Sequence, residues 1–182
     1  MKLPLFLLLL LLPLFLFSQS VLPMEVVEGR RSISMSETRG QRSDGVYRYF
    51  VKGEREPYTG VLYAQYDDGQ LLSWQEYVDG VGQGKWINYY NNGQVQETGY
   101  FEQNRVEGPI KKYHPNGQLQ AVGTYKNWRI RVGVWRYYDA GGTLLRTVDY
   151  GTKGSIEEVQ DYYDRGDISN AWYTQILREN GF

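Results

Sequence analysis

The sequence predicts a mainly β fold: an elongated single antiparallel sheet of stacked β-hairpin repeats with a short C-terminal α-helical cap. Three observations carry this. Glycines recur at Gly60, Gly84, Gly108 and Gly133, with spacings of 24, 24 and 25 residues. A second glycine follows each by nine residues, at Gly69, Gly93, Gly117 and Gly142. After Ser155 the apolar pattern changes from a strand period to a helical one. Two glycine ladders in one register define an internal repeat.

Each repeat reads as a hairpin. The pairs at the second glycine are Asp68-Gly69, Asn92-Gly93, Asn116-Gly117 and Gly141-Gly142. Asp, Asn and Gly tolerate positive φ, so these pairs predict two-residue type I′ turns. Runs rich in Tyr, Trp, Val and Leu flank them and predict strands. Two positions after the leading glycine stand Leu62, Trp86, Ile110 and Trp135, a slot for apolar bulk. Two after the turn glycine stand Leu71, Val95, Leu119 and Leu144, and eight after it Tyr77, Phe101, Tyr125 and Tyr150. Even spacing places these last two sets on one strand face, together with Gly99 and Gly123. A glycine there leaves room for a neighbouring ring to lie over the backbone. Packing of this kind accounts for most of the 17 Tyr and 5 Trp.

The run Gly84-x-Trp86-x-x-Tyr89-Tyr90-x-Asn92-Gly93-x-Val95 resembles the MORN repeat, in its bacterial variant with Asn-Gly at the hairpin tip. The resemblance covers Gly60 to Tyr150, with a degenerate half-repeat at Val46–Val51. Leu62 and Ile110 depart from it in the Trp slot, and Asp139-Ala140 before the last turn. It implies hairpins joined edge to edge into one twisted antiparallel sheet, and no catalytic residues. Some bacterial relatives carry an antitoxin label. The leader described next argues against that role, because an antitoxin meets its toxin in the cytoplasm.

Residues 1–20 combine Lys2, a Leu/Phe run from Leu3 to Phe17 and Ser18-Gln19-Ser20. This is the pattern of a secretory signal peptide cleaved after Ser20. An uncleaved anchor is the competing reading, but the run is short of the roughly 20 residues a span needs, and Pro4 and Pro13 interrupt it. Residues 21–44 mix Ser, Glu, Arg and Gly without periodicity and predict a flexible linker, in which short stretches could pair as a strand. Residues 45–151 hold the repeats, with Val46–Val51 expected to pair with the first full hairpin. The return connections Asp79–Gln83, Glu102–Glu107 and Lys126–Val132 vary most, the last by one extra residue. Such connections are where function is displayed. Residues 152–182 form the cap. Ser155-Ile156-Glu157-Glu158 is a capping box, and Ile156, Val159, Tyr162 and Tyr163 share a helical face. A second helix runs from Ser169 to Glu179, with Gly181 beyond it. The pair is expected to shield the edge of the last hairpin, with a partner-binding helix as the alternative.

With no cysteine, thiolate catalysis, disulfides and a lipid-modified N-terminal Cys are excluded. His114 is the one histidine, and a lone His without Cys does not make an ordinary zinc site. There is no Gly-x-Ser-x-Gly elbow and no phosphate loop. Asp161, Asp164 and Asp167 lack calcium-loop spacing, and the glycine of Arg165-Gly166-Asp167 already serves as a helix stop. No catalytic, cofactor or metal residue is therefore assigned. The 20 Lys and Arg balance 21 Asp and Glu, which gives no reason to expect nucleic acid. The candidate binding residues are Tyr89, Tyr113 and Tyr138, four before the turn glycine and on the face opposite Trp86 and Trp135. They read as an exposed aromatic ladder for a protein partner or a glycan. The expected molecule is an exported, non-enzymatic scaffold of the periplasm, cell envelope or extracellular space.

Overall fold

Tyr-, Trp- and Val-rich runs separated by glycine turns become strands. The computed structural model describes residues 30–43 and 45–182. Its strands are β1 (Ser32–Ser34), β2 (Thr38–Ser43), β3 (Val46–Val51), β4 (Gly60–Gln65), β5 (Leu71–Val78) and β6 (Val81–Tyr89). They continue with β7 (Val95–Glu102), β8 (Arg105–Tyr113), β9 (Leu119–Lys126), β10 (Ile130–Tyr138) and β11 (Leu144–Asp149). Two helices follow, α1 (Ile156–Asp164) and α2 (Asn170–Asn180). Nine strands form one sheet in the order β1-β4-β5-β6-β7-β8-β9-β10-β11, and β2 with β3 forms a second sheet of two. At about 4.8 Å per strand the large sheet is roughly 40 Å across. All its pairings are antiparallel except that of β1 with β4.

Two expectations are corrected at the N-terminal end. The described part of the supposed linker carries structure: Ser32–Ser34 runs parallel to β4, a 3-10 turn spans Met35–Glu37, and β2 follows. A few apolar side chains anchor it, because Ile33 is buried with Leu62, Tyr58 and Tyr77, and Met35 packs beside them. Val46–Val51 does not join the first hairpin. It pairs with β2, a partner one short turn away, and its other edge bonds Tyr58 and Gly80. The expected leader, Met1–Ser20, and residues 21–29 lie outside the described residues.

The turns exchange places relative to expectation. At the tips only the glycine has positive φ (Gly69 85°, Gly93 79°, Gly117 82°, Gly142 88°). The Gly93 amide donates to Tyr90 O at 2.9 Å and the Tyr90 amide to Gln94 O at 2.8 Å. These are three-residue loops: a type I turn closed by a glycine in the left-handed region. The aspartate or asparagine caps its own loop, as where Asn92 Oδ1 accepts from the Gln94 amide at 3.0 Å. Type I′ turns occupy the other end of the hairpins, at Asp79-Gly80 (φ 51°, 73°) and Gln103-Asn104 (φ 50°, 66°). The first two return connections are thus tight two-residue turns.

After each tip the outgoing strand carries one extra residue, so that Tyr89 pairs with Val95 while Asn88 pairs with Glu97. The same shift recurs at Gln65, Tyr113 and Tyr138. One extra residue turns every later side chain to the other face. Leu71 and Val95 therefore pack with Trp74, Ile87 and Tyr89, whereas Phe101 and Tyr125 pack with Trp86 and Trp135. The even-spacing argument fails at this bulge. It holds within the strands: Gly99 pairs with Trp86 and Gly123 with Ile110. A Cβ on Gly99 would lie 2.7 Å from Trp86 Cζ2, and one on Gly123 would overlap the Trp135 ring. The leading glycines pair with aromatics, Gly84 with Phe101 and Gly108 with Tyr125.

The helices form where periodicity places them. Ser155 accepts the Glu158 amide at 3.2 Å and Gly181 (φ 72°) ends α2. Glu158 does not complete the capping box. Its carboxylate instead takes the Arg131 amide at 3.3 Å and Arg131 Nε at 2.9 Å. Val159, Ile168 and Ile176 close over Ile130 and Trp128, so the helices cover the last return turn. They leave the edge strand open: Leu144 and Leu145 in β11 are exposed. No described helix is long and apolar enough to cross a membrane.

Candidate functional site

The two ends of the hairpins are built differently. At the tip end, successive repeats are stitched by one recurring bond. Tyr66 Oη donates to Tyr89 O at 2.7 Å and Tyr90 Oη to Tyr113 O at 2.8 Å. His114 Nε2 takes the same position at 3.0 Å from Tyr138 O. Because the acceptor is a carbonyl, Nε2 carries the proton. Asn92 and Asn116 add bonds to Pro115 O and Ala140 O, both 2.8 Å. The lone histidine is thus a structural donor of the repeat. The last copy has no donor to pass on, since Asp139 turns its carboxylate into its own loop, onto the amides of Gly141 and Thr143. The ladder stops there by sequence.

The tyrosine ladder lies on the expected face but is not the expected platform. Tyr89 is buried, with its hydroxyl accepting from Trp74 Nε1 at 3.1 Å, and Tyr113 and Tyr138 are half-buried. Their backbone carbonyls are the acceptors of the tip-end bonds. The other repeat residues keep structural places: Trp86 and Trp135 are buried, and the glycines take positive φ at the tips and within the strands.

The return-turn end carries the concave site. The β2–β3 hairpin docks on one side, held by Tyr49 N to Gly80 O at 2.8 Å and by Asn104. That side chain donates to Tyr47 O at 2.9 Å and accepts from Gly82 N at 2.7 Å. On the other side α2 is latched through Asn127 Nδ2 to Asn180 Oδ1 at 3.1 Å and Arg105 to Glu179 at 3.3 Å. Between these walls lies a cleft of about 730 Å³, with Arg48, Gln103, Asn104, Arg105, Trp128 and Trp172 among its lining. The Arg105 guanidinium stacks 5.0 Å from the Trp172 ring, and Trp128 lies 5.9 Å from it.

One connection in this wall is strained. The last return loop holds Asn127, Trp128 and Arg129 at φ 42°, 69° and 62°. A bulky side chain in the left-handed region costs on the order of 1–3 kcal/mol, and such residues collect at functional sites. Glu107 accepts the Asn127 amide at 2.7 Å, and Arg129 stacks 5.7 Å from Trp86. Sequence reasoning did not single out Trp128 or Arg105. The available signal was the one extra residue in Lys126–Val132, which makes this turn longer than its two counterparts. Among the described residues no three His, Cys, Asp or Glu side chains group as metal ligands.

Comparison with known proteins adds a family. The model of the MORN repeat variant matches residues 83–103 and 106–127, the second and third hairpins. No curated protein matches the chain. Among solved structures, a TarM mutant from S. aureus in complex with fondaparinux, alpha-GlcNAc-glycerol and UDP is 13% identical at TM-score 0.32. It is matched over 62% of this chain and 20% of that one. A second TarM structure gives 14% identity, 61% and 19% coverage and TM-score 0.31. A GtfA/B complex bound to UDP and GlcNAc gives 13%, 78% and 31%, and 0.22. The chain spans about a fifth of the TarM chains, and likenesses this low carry no argument about function. MORN repeats are non-catalytic binding modules. The second and third hairpins are thus MORN repeats of the variant type, and the same two glycine ladders run through all four hairpins.

Proposed function

We propose that this protein is an exported, non-enzymatic interaction module of the bacterial cell envelope that seats a segment of a protein partner at the return-turn end of its sheet. The observation that carries the reading is the cleft between β2–β3 and α2, with Trp128 held in it at φ 69°. Its lining combines aromatic rings, guanidinium groups and the amides of Gln83, Gln103, Asn104 and Gln175. This is the mix that protein interfaces favour, with Trp and Arg as anchors. Export rests on the leader pattern of Met1–Ser20, and an exported chain without cysteine suits a bacterial envelope better than a eukaryotic secretory route.

A photo-crosslinking residue placed at Ala171, which lines the cleft, should trap a polypeptide from the envelope fraction. The same residue at Asn91, on an exposed tip, should not. Gln103→Arg, which fills the cleft without touching the core, should abolish the adduct at 171. Adducts at the tip alone would overturn the reading. A glycan array run beside it decides the alternative: specific glycan binding lost in Tyr113→Ala would favour a carbohydrate ligand instead.

A further inference from the structure

The face that carries Trp86 and Trp135 is uncovered over part of its area. Between the last two tips and α1 it forms a groove of about 560 Å³, lined in part by Lys112, Tyr125, Arg131, Tyr137, Arg146 and Tyr162. A single cross-strand row supplies its floor: Glu97 pairs with Lys112, Lys112 with Ala121, Ala121 with Tyr137 and Tyr137 with Arg146. Ala121 is the small member, and its missing bulk makes the depression.

The charges in this row are sorted by depth. The Glu97 side chain is 10% exposed, while its partners Lys112 and Arg129 are 33% and 38% exposed. Glu158 is 13% exposed against 32% for Arg131. In each pair the carboxylate is the more buried half; Lys112 and Arg131 line the groove, with Glu158 beside Arg131, and Arg129 lies outside it. Arg146 is exposed, stacks 4.5 Å from the Tyr137 ring and has no carboxylate partner among the described residues. Burial pulls the Lys112 ammonium down, but Tyr125 and Glu97 outweigh it and hold the group protonated. Burial pushes the Tyr125 hydroxyl up, and that of Tyr162 to about 12, so both stay neutral donors. Lys112, Arg131 and Arg146 against the mostly covered Glu158 carboxylate leave the recess net positive, and a recess of net charge focuses its field on what enters.

We propose that this groove binds a small oxyanion, a carboxylate or phosphate on a compact organic body, through Lys112, Arg131 and Arg146, with the Tyr125 and Tyr137 rings as walls. Its volume is that of a small-molecule site, and guanidinium groups match the planar oxygen pair of such ligands. The site is separate from the cleft at the return turns and does not depend on its occupant.

Calorimetric titration of the mature chain with citrate and with inorganic phosphate tests it, and a Glu-rich peptide tells a free oxyanion from carboxylates displayed on a polypeptide. Saturable binding of citrate or phosphate is expected. Arg146→Glu should weaken it at least tenfold, and Arg146→Lys should restore most of it. Lys111→Glu makes the same kind of charge change on the opposite, exposed face and should leave binding unchanged. No saturable binding of either small probe would overturn the proposal. So would an equal loss in Lys111→Glu, which would mean a diffuse surface effect, and binding of the peptide alone would overturn the small-ligand assignment.

Discussion

Trp86 and Trp135 lie across from or over glycines, and that arrangement leaves no slack. Gly123→Ala would drive a methyl into the Trp135 ring, an overpacking expected to cost about 1–3 kcal/mol. Trp86→Ala should cost roughly 3 kcal/mol or more, as a large buried ring is lost. Thermal melts of both variants check these values, and an unchanged melting temperature for either would mean the ring is not packed there. Gly93 (φ 79°) is a tip residue where a Cβ would meet only Gln70 Oε1, at an ordinary contact distance of 3.7 Å, so Gly93→Val tests backbone strain more than crowding and should cost about 1–3 kcal/mol. Asp139 gives a pH signature. The amides of Thr143 and Gly141 hold its carboxyl below the usual carboxylate range. A depressed folded-state pKa contributes stability that is complete above the unfolded value, near about 3.9, and is lost as pH falls through the folded one. The fourth tip should therefore loosen at acid pH before the second, which amide exchange at Thr143 and Gln94 would show. Equal exchange at both would refute it.

At the scale of elements, the helices and the last hairpin were expected to meet along the edge of β11, and they do not. The apolar residues of α1 and α2 close over Ile130 and Trp128, where three successive positive-φ residues open the turn. Removing residues 155–182 should therefore expose that loop and lower the melting temperature by several degrees, with the chain remaining monomeric. Size-exclusion chromatography that shows new oligomers only after truncation would restore the edge-shielding role. The tip loops teach a similar lesson. Asn-Gly and Asp-Gly pairs suit both a type I′ turn and a type I turn with a left-handed glycine, and the pair alone does not choose. Pro115 fits the first central position of the type I form, and it was the one local clue to the outcome.

At the scale of the molecule, the N-terminal hairpin hangs on the main sheet through few polar contacts. Asn104→Ala removes one of them, the bond to Tyr47 O. It should raise protease cleavage within 38–51 while the melt of the large sheet stays nearly unchanged, and equal protection in both proteins would count against the docking. Mass spectrometry of the envelope fraction should find a mature terminus at Val21, and a full-length membrane-bound chain would overturn the leader reading. Repetition made most of the fold legible. Four copies in one register fix strand number, strand order and the buried Trp slot, because each hairpin is a local structure and neighbours pair in sequence. The place of β1, the docking of β2–β3 and the seat of the helices were not legible. They depend on contacts between residues such as Ile33 and Leu62 or Asn127 and Asn180, which no local period encodes. Both proposed sites arise in that second category. A cleft or groove is the space left between elements, so the sequence by itself determined the sheet, and only the tertiary structure decided which of its surfaces remained open.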